Sequence, residues 1–440
     1  MFGLFLYFFS ILLVGWCLTD WLFLRRQANL MAKIGLAYVT GSALFALELF
    51  IAIFGFGFVP NRFFYCLFVL PIVIVWLIFG LFKKRFFSNN REKLKVFDFL
   101  PLTLLALQVV LVMGLAWVKP VMTVDSVDFW SFKPRVLFYD SSGFLSPDSY
   151  DYWAKMSHAD YPWQINLLIY GLTIGNGFYD DALNNYIFVG YYLSALLILY
   201  GSLTAGLGKT KSLLMTYFLA SLPLFFYHSW NAYADLPLAT NVLASLSLLL
   251  LWLESEKAFF LHCALAVFLL GTQIKFEGIY FLLSAILIVG FKYFYKKDIK
   301  MVIFCFWPLL VYSVWQIFIY IYGLKLVPAS VPINFEFHPD LFLMLLTKLF
   351  YWHSSWNILW YVVLLYGISI VIFKRSFNKK YLVAWLWLFL VAGFFICMYL
   401  FTPVYIWAQD DTALSRNILT LIPALFLLIG FNESYGSKKL

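Results

Sequence analysis

The chain has little charge. Of its 440 residues only 12% are Asp, Glu, Lys or Arg, against ~25% in an ordinary soluble domain. With 64% hydrophobic residues, there is more apolar surface than a water-soluble particle of this size can hide. Cysteine is scarce and scattered. Cys17, Cys66, Cys263, Cys305 and Cys397 stand singly in apolar runs, with no CxxC and no Cys/His cluster. Neither a disulfide framework nor a structural zinc site is expected. GxGxxG, HExxH and GxSxG are absent, which removes motif support for soluble-enzyme classes. The nearest approach to a phosphate loop, GLGKTKS (206–212), has Leu203 where GxxxxGK needs its first glycine. Nucleotide binding is rejected there. The first run, FGLFLYFFSILLVGWCLTDWLF, lacks a basic n-region and a small-residue cleavage site. It reads as a retained span and not as a cleaved signal peptide.

What the chain has in abundance is long apolar runs, many reaching the ~17–25 residues that cross a bilayer as a helix. The expected class is an all-α polytopic membrane protein. Spans are expected near 2–22, 34–57, 63–82, 98–118, 186–206, 213–229, 236–253, 258–274, 279–295, 301–323, 356–373, 381–401 and 417–432, about thirteen in all. Aromatic residues make up 22%, which suits a bilayer solvent with interfacial belts. INLLIYGLTIGNG (165–177) is too short and glycine-rich for a span. It reads as a helix lying at the interface or partly re-entrant, as does FLMLLTKLFYWH (342–353).

The formal charge of +9 is read as a topology signal, not as a nucleic-acid surface. Arg25, Arg26 and Lys33, KKRFFSNNREKLK (83–95), GKTK (208–211), YKKDIK (295–300), KRSFNKK (374–380) and the terminal lysines all fall on one side under strict alternation. The positive-inside rule makes that side cytoplasmic, with the N-terminus outside and the C-terminus inside. The acidic and aromatic polar motifs then share the other face. They are DSVDFWSFKPRVLFYD (125–140), HADYP (158–162), NAYADLP (231–237), IKFEG (274–278), the loop 324–341 and QDDTALSR (409–416).

Each motif has a plain reading beside a functional one. Asp125 and Asp128 are three apart and would share a helix face; a solvated loop with capping acids is the plain alternative. Trp130 and its aromatic neighbours give that loop an interfacial character, and Lys133 and Arg135 follow closely. A carboxylate near a low-dielectric surface, if unpaired, has a raised pKa, which suits a general base. His158, Asp160 and Tyr161 precede Pro162, where simple N-capping is the competing explanation. Asp235 is either a helix cap or a site residue. Lys275 and Glu277 interrupt a nearly continuous apolar run; they form a tight turn with a local ion pair, or face a phosphate. Arg416 opens the last span, where it opposes the helix dipole and is poorly explained as a cap. Its planar fork pairs phosphate oxygens two at a time.

In order and on a common side, DSVDFWSFKPR, HADYP, YADLPLA, KFEG and the SR before the final span resemble the GT-C superfamily of polytopic glycosyltransferases. The resemblance is nearest to the bacterial branch of lipid A aminoarabinose transferases and protein mannosyltransferases. It covers roughly 98–430 through short motifs only. It implies a first large outer loop with interfacial helices, and a sugar donor carried on polyprenyl phosphate. It implies that Asp125 is the general base, assisted by Asp128 or Asp160, in one inverting displacement. Lys275 and Arg416, joined by Lys133 and Arg135, would steady the departing phosphate. Asp235, Glu277, His158, Tyr161 and Trp130 would support the site, and a divalent cation (Mg or Mn) is used in some members. The acceptor is a glycan, lipid or protein hydroxyl, and no nucleic acid is involved. The expected location is a bacterial inner membrane, with the site facing the periplasm or exterior.

On this reading 1–97 forms additional N-terminal helices. A core of 98–432 carries the catalytic outer loop 119–185, and 433–440 is a short cytoplasmic tail. Four spans precede the loop, where many GT-C members have one. A transporter or flippase is the competing class; its charges are usually placed at the bilayer midplane within an inverted repeat. A polymerase or ligase component would show arginine-rich outer loops, and this chain has few arginines there.

Overall fold

In the computed structural model the described residues are 2–20, 29–81, 96–141, 161–321, 334–351, 353–372, 378–411 and 413–436. All regular structure among them is helical. The main helices are α1 (Phe2–Leu18), α2 (Leu30–Phe50, continued by a π turn Ile51–Gly55), α3 (Phe64–Leu81), α4 (Val96–Val118) and α5 (Phe132–Tyr139). They continue with α6 (Gln164–Asn176), α7 (Tyr186–Leu207), α8 (Lys209–Ala220), α9 (Pro223–Tyr227), α10 (Asp235–Ser255), α11 (Ala258–Gly271) and α12 (Gly278–Tyr295). The last are α13 (Trp307–Ile321), α14 (Leu341–Leu346), α15 (Leu359–Ile372), α16 (Leu382–Phe401) and α17 (Leu414–Gly436). Eight helical stretches among the described residues are long and apolar enough to cross a membrane, and five shorter apolar helices accompany them. The chain is an integral, polytopic helical membrane protein.

The expected span at 213–229 is broken in two. Pro223 has no N–H to donate, and it pushes the preceding residue out of the helical region. Leu222 is accordingly extended (φ −65°, ψ 126°), and α9 restarts at the proline.

Helix α10 is the axis of the bundle, buried along nearly its whole length and packed against α7, α11 and α17. Helices α4 and α13 lie at the periphery and expose Leu107, Val110, Leu111, Leu310 and Val314. Such faces are stable against lipid tails, which are as apolar as leucine. Helices instead gain from close packing at small residues. Across α1 and α2 the approach is so close that a Cβ on Gly15 would fall 1.8 Å from the Ala37 carbonyl oxygen. One on Gly41 would fall 2.1 Å from that of Ile11. The N-terminal helices are built into this bundle: α2 packs along α7 and against α6.

The helices alternate between two ends. At one, Asn185 Nδ2 donates to the Lys119 carbonyl, tying the end of α4 to the start of α7, and the Gln164 N–H donates to the Gln273 carbonyl. At the other, Thr210 Oγ1 donates to Asp98 at 2.5 Å and Tyr381 donates to Glu254 at 2.9 Å. Helix α6 has both ends at the first of these: its start meets Gln273, and its Asn176 carbonyl accepts from Arg62 beside the start of α3. It therefore does not cross, and the alternation is kept. It differs from an ordinary interfacial helix in having no exposed face, since residues 164–175 are all buried, between α5 on one side and α1 and α2 on the other.

Candidate active site

The site is built around Asp235, the first residue of α10. Its carboxylate does not cap the helix. One oxygen accepts from Lys275 Nζ at 2.9 Å and the other from Arg416 Nε at 2.9 Å, and His228 Nδ1 faces it at 3.9 Å. Asp235 is completely buried. A buried carboxylate is tolerable only when paired and hydrogen-bonded. The N-terminus of α10 adds a favourable dipole.

Lys275 lies in the turn between α11 and α12, and donates also to Glu277 at 2.8 Å. The local ion pair expected of a tight turn is thus present, and so is a tie to Asp235, forty residues away. Burial alone would pull the Lys275 ammonium down, but Asp235 and then Glu277 outweigh it and hold it above its ordinary value. His228 is driven the other way. Burial takes it down to about 3; Asp235 opposes this, and Arg416 and Lys275 reinforce it. The imidazole is therefore neutral at physiological pH.

Arg416 occupies the third position of α17. Its unfavourable place at a helix start is offset by two acidic partners: Nε holds Asp235 and Nη1 holds Asp125. Its guanidinium also lies 4.7 Å from the centre of the Tyr233 ring. Asp125 stands just before a π-helical turn, Ser126–Ser131, and its side chain keeps 29% of its exposure, against 0% for Asp235. Four segments distant in sequence thus meet: the first outer loop, the start of α10, the turn after α11 and the start of α17.

Other expected site residues lie around this centre. Asp128, one turn beyond Asp125, is half-buried and forms no ion pair with the described residues. Lys133 is fully buried on α5, its ammonium 5.0 Å from the centre of the Trp163 ring. Arg135 is exposed and lies over the Tyr179 ring at 5.6 Å. Trp130 packs edge-on against Tyr161. Tyr161 stacks on Phe129 and contacts Phe276, so it pins the outer loop to the turn that carries Lys275. His158 and Asp160 lie outside the described residues. Asp125, Asp235 and Glu277 are each turned onto a cation. Among the described residues no group of three or more His, Cys, Asp or Glu side chains is placed to hold a metal ion. None of the five cysteines is disulfide-bonded.

Several participants escaped the motif reading. His228 and Tyr233 sit in the run HSWNAYAD, which ends at Asp235; Tyr233 lies inside the quoted NAYADLP but was not singled out, and His228 lies three residues before it. Tyr399 accepts from Asn417 Nδ2 at 2.7 Å, beside Arg416; nothing in the apolar context of Tyr399 marks it. Lys348 donates to Asp411 at 2.7 Å, and Ser415 donates to the same Asp411 oxygen at 2.8 Å. That second ion pair braces the segment leading into Arg416.

No family model, curated protein or solved structure matches this chain. The fold and the site by themselves define a polytopic helical membrane protein with a buried, cation-bridged carboxylate cluster at one end of its spans.

Proposed function

We propose that the protein is a GT-C-like membrane glycosyltransferase that moves a sugar from a polyprenyl-phosphate donor to an acceptor hydroxyl. The observation that carries this reading is the convergence of Asp125, Asp235, Lys275 and Arg416 from four separate segments. A cluster that places a partly exposed carboxylate beside two fixed cations has both elements of the displacement, a base and a charge to receive the leaving group. Asp125 takes the acceptor's proton. The acceptor oxygen bonds to the anomeric carbon while the bond from that carbon to the phosphate oxygen breaks. The phosphate leaves with the electron pair, and its charge is met by Arg416 and Lys275, already oriented by Asp235 and so needing little reorganisation. Arg135, exposed on the same loop, is a candidate for the donor's outer contacts, whereas Lys133 is buried against Trp163 and is not. The expected setting is a bacterial inner membrane, with the cluster on the periplasmic or outer face, opposite the basic loops.

The test is sugar transfer by the purified full chain in nanodiscs, given a polyprenyl-phosphate sugar and a panel of glycan, lipid and peptide acceptors. Asp125→Asn and Lys275→Ala should each lower transfer by a factor of about 10² or more, with insertion unchanged. Normal transfer by both variants would sink the site assignment. Counterflow of the donor without any new glycosidic bond would favour a transporter instead.

A further inference from the structure

Among the described residues Arg416 serves two carboxylates, and they are not equivalent. Asp235 is held on both oxygens, by Lys275 and by Arg416 Nε, and is fully buried. Asp125 is held by Arg416 Nη1 through one oxygen and remains partly exposed. It caps nothing, and it follows an irregular stretch, 119–122, at the end of α4. The π-helical turn after it is a geometry found frequently at functional sites. If one partner of Arg416 exchanges, it is Asp125. Nε stays anchored to Asp235 and keeps the guanidinium plane in place.

Charge sets the direction of that exchange. Among the described residues three carboxylates (Asp125, Asp235, Glu277) face two cations (Lys275, Arg416), and His228 is neutral. An anion entering with Asp125 in place would join a group already negative by one. An anion that displaces Asp125 finds a guanidinium nitrogen oriented for an oxygen acceptor. Phosphate offers the same kind of charged oxygen as carboxylate, and pairs with the arginine fork as well or better.

We propose that Arg416 is the binding site of a phosphate group, and that in the resting protein the Asp125 carboxylate occupies that phosphate's place. This rests on the reading of Arg416 as a donor-phosphate contact and deepens it. Binding of the phosphate and freeing of the base become one event. Asp125 is released from its cation only when the donor has arrived, so an acceptor or water reaching the site first meets no free base. The order of binding is then donor before acceptor.

The experiment measures affinity, with no sugar present. Farnesyl monophosphate is titrated against the full chain in zwitterionic nanodiscs, beside inorganic phosphate. Asp125→Asn removes the resident competitor and should tighten farnesyl phosphate by roughly tenfold or more, the worth of one charge-assisted hydrogen bond. Asp125→Glu keeps the competing charge and should not tighten it. Arg416→Gln should abolish binding, and adding Asp125→Asn to it should restore nothing. Equal or weaker binding by a folded Asp125→Asn protein, or a gain that survives loss of Arg416, overturns the proposal. If the Asn variant does not fold, Asp125→Ser takes its place in the same titration. Inorganic phosphate binding as tightly as the farnesyl ester would overturn the lipid-linked source. Failure of sugar transfer with this pattern intact would overturn only the transferase reading.

Discussion

The two ends of the helix bundle handle ionisable groups in opposite ways. At the basic end the described carboxylates meet separate partners. Lys33 meets Asp20 at 3.8 Å with both side chains partly exposed, and buried Asp98 and exposed Glu254 each accept from a hydroxyl. At the other end two cations bridge three carboxylates, and the central one has no exposure at all. Loose, partly exposed pairs such as Lys33–Asp20 contribute roughly 0–1 kcal/mol. A buried cluster of the second kind is often no more stabilising than apolar packing would be. The clustered end is therefore poorly explained by stability, and pre-organisation of charge for a ligand is the better account.

The contrast can be broken at its centre. Asp235→Ala leaves Lys275 and Arg416 buried without their shared partner. It should cost about 3–5 kcal/mol, read as a large drop in the thermal unfolding midpoint of the detergent-purified protein. A small shift would mean that the cluster relaxes into solvent, and the contrast would fail. Arg416→Lys keeps the charge but cannot hold two carboxylates through one rigid fork. Sugar transfer should fall by about 10² or more, while the protein remains folded.

His228 offers a pH test of smaller size. It is neutral in the folded protein, with its pKa down at about 3, against an ordinary value of 6.5 once unfolded. Between those values the unfolded chain binds the extra proton, so stability should decline as pH falls from 6.5 toward 3. His228→Gln should flatten that part of the acid limb; an unaltered slope would show that the imidazole does not contribute. At the basic end, Lys33→Met should change stability by no more than about 1 kcal/mol and leave transfer unchanged. A larger loss there would erase the distinction between the two ends.

Much of this could be read directly from residue order. Composition and run length imply a polytopic helical membrane protein, and the chain folds as one. Parity of the basic loops places 125, 235, 275 and 416 at the same end, and the helix ends agree. Other features were hidden for identifiable reasons. The break at Leu222 depends on one proline inside a run whose hydropathy is otherwise that of a span. The burial of α6 depends on neighbours from α1, α2 and α5, which no local period reveals. Lys133 and Arg135 are two residues apart in sequence, yet one is buried and the other exposed, because α5 turns one face to α6 and the other outward.

By itself, the sequence determined the class, since this follows from local hydropathy, and it placed 125, 235, 275 and 416 at one end through the parity of the basic loops. Which charges touch was decided by tertiary structure alone. Asp235 could have capped its own helix, Lys275 could have paired only with Glu277, and Arg416 could have faced water. Packing of α10 against α7, α11 and α17 brings distant helix ends into one low-dielectric space. There an unpaired charge is too costly to persist, so each carboxylate in the cluster must find a cation.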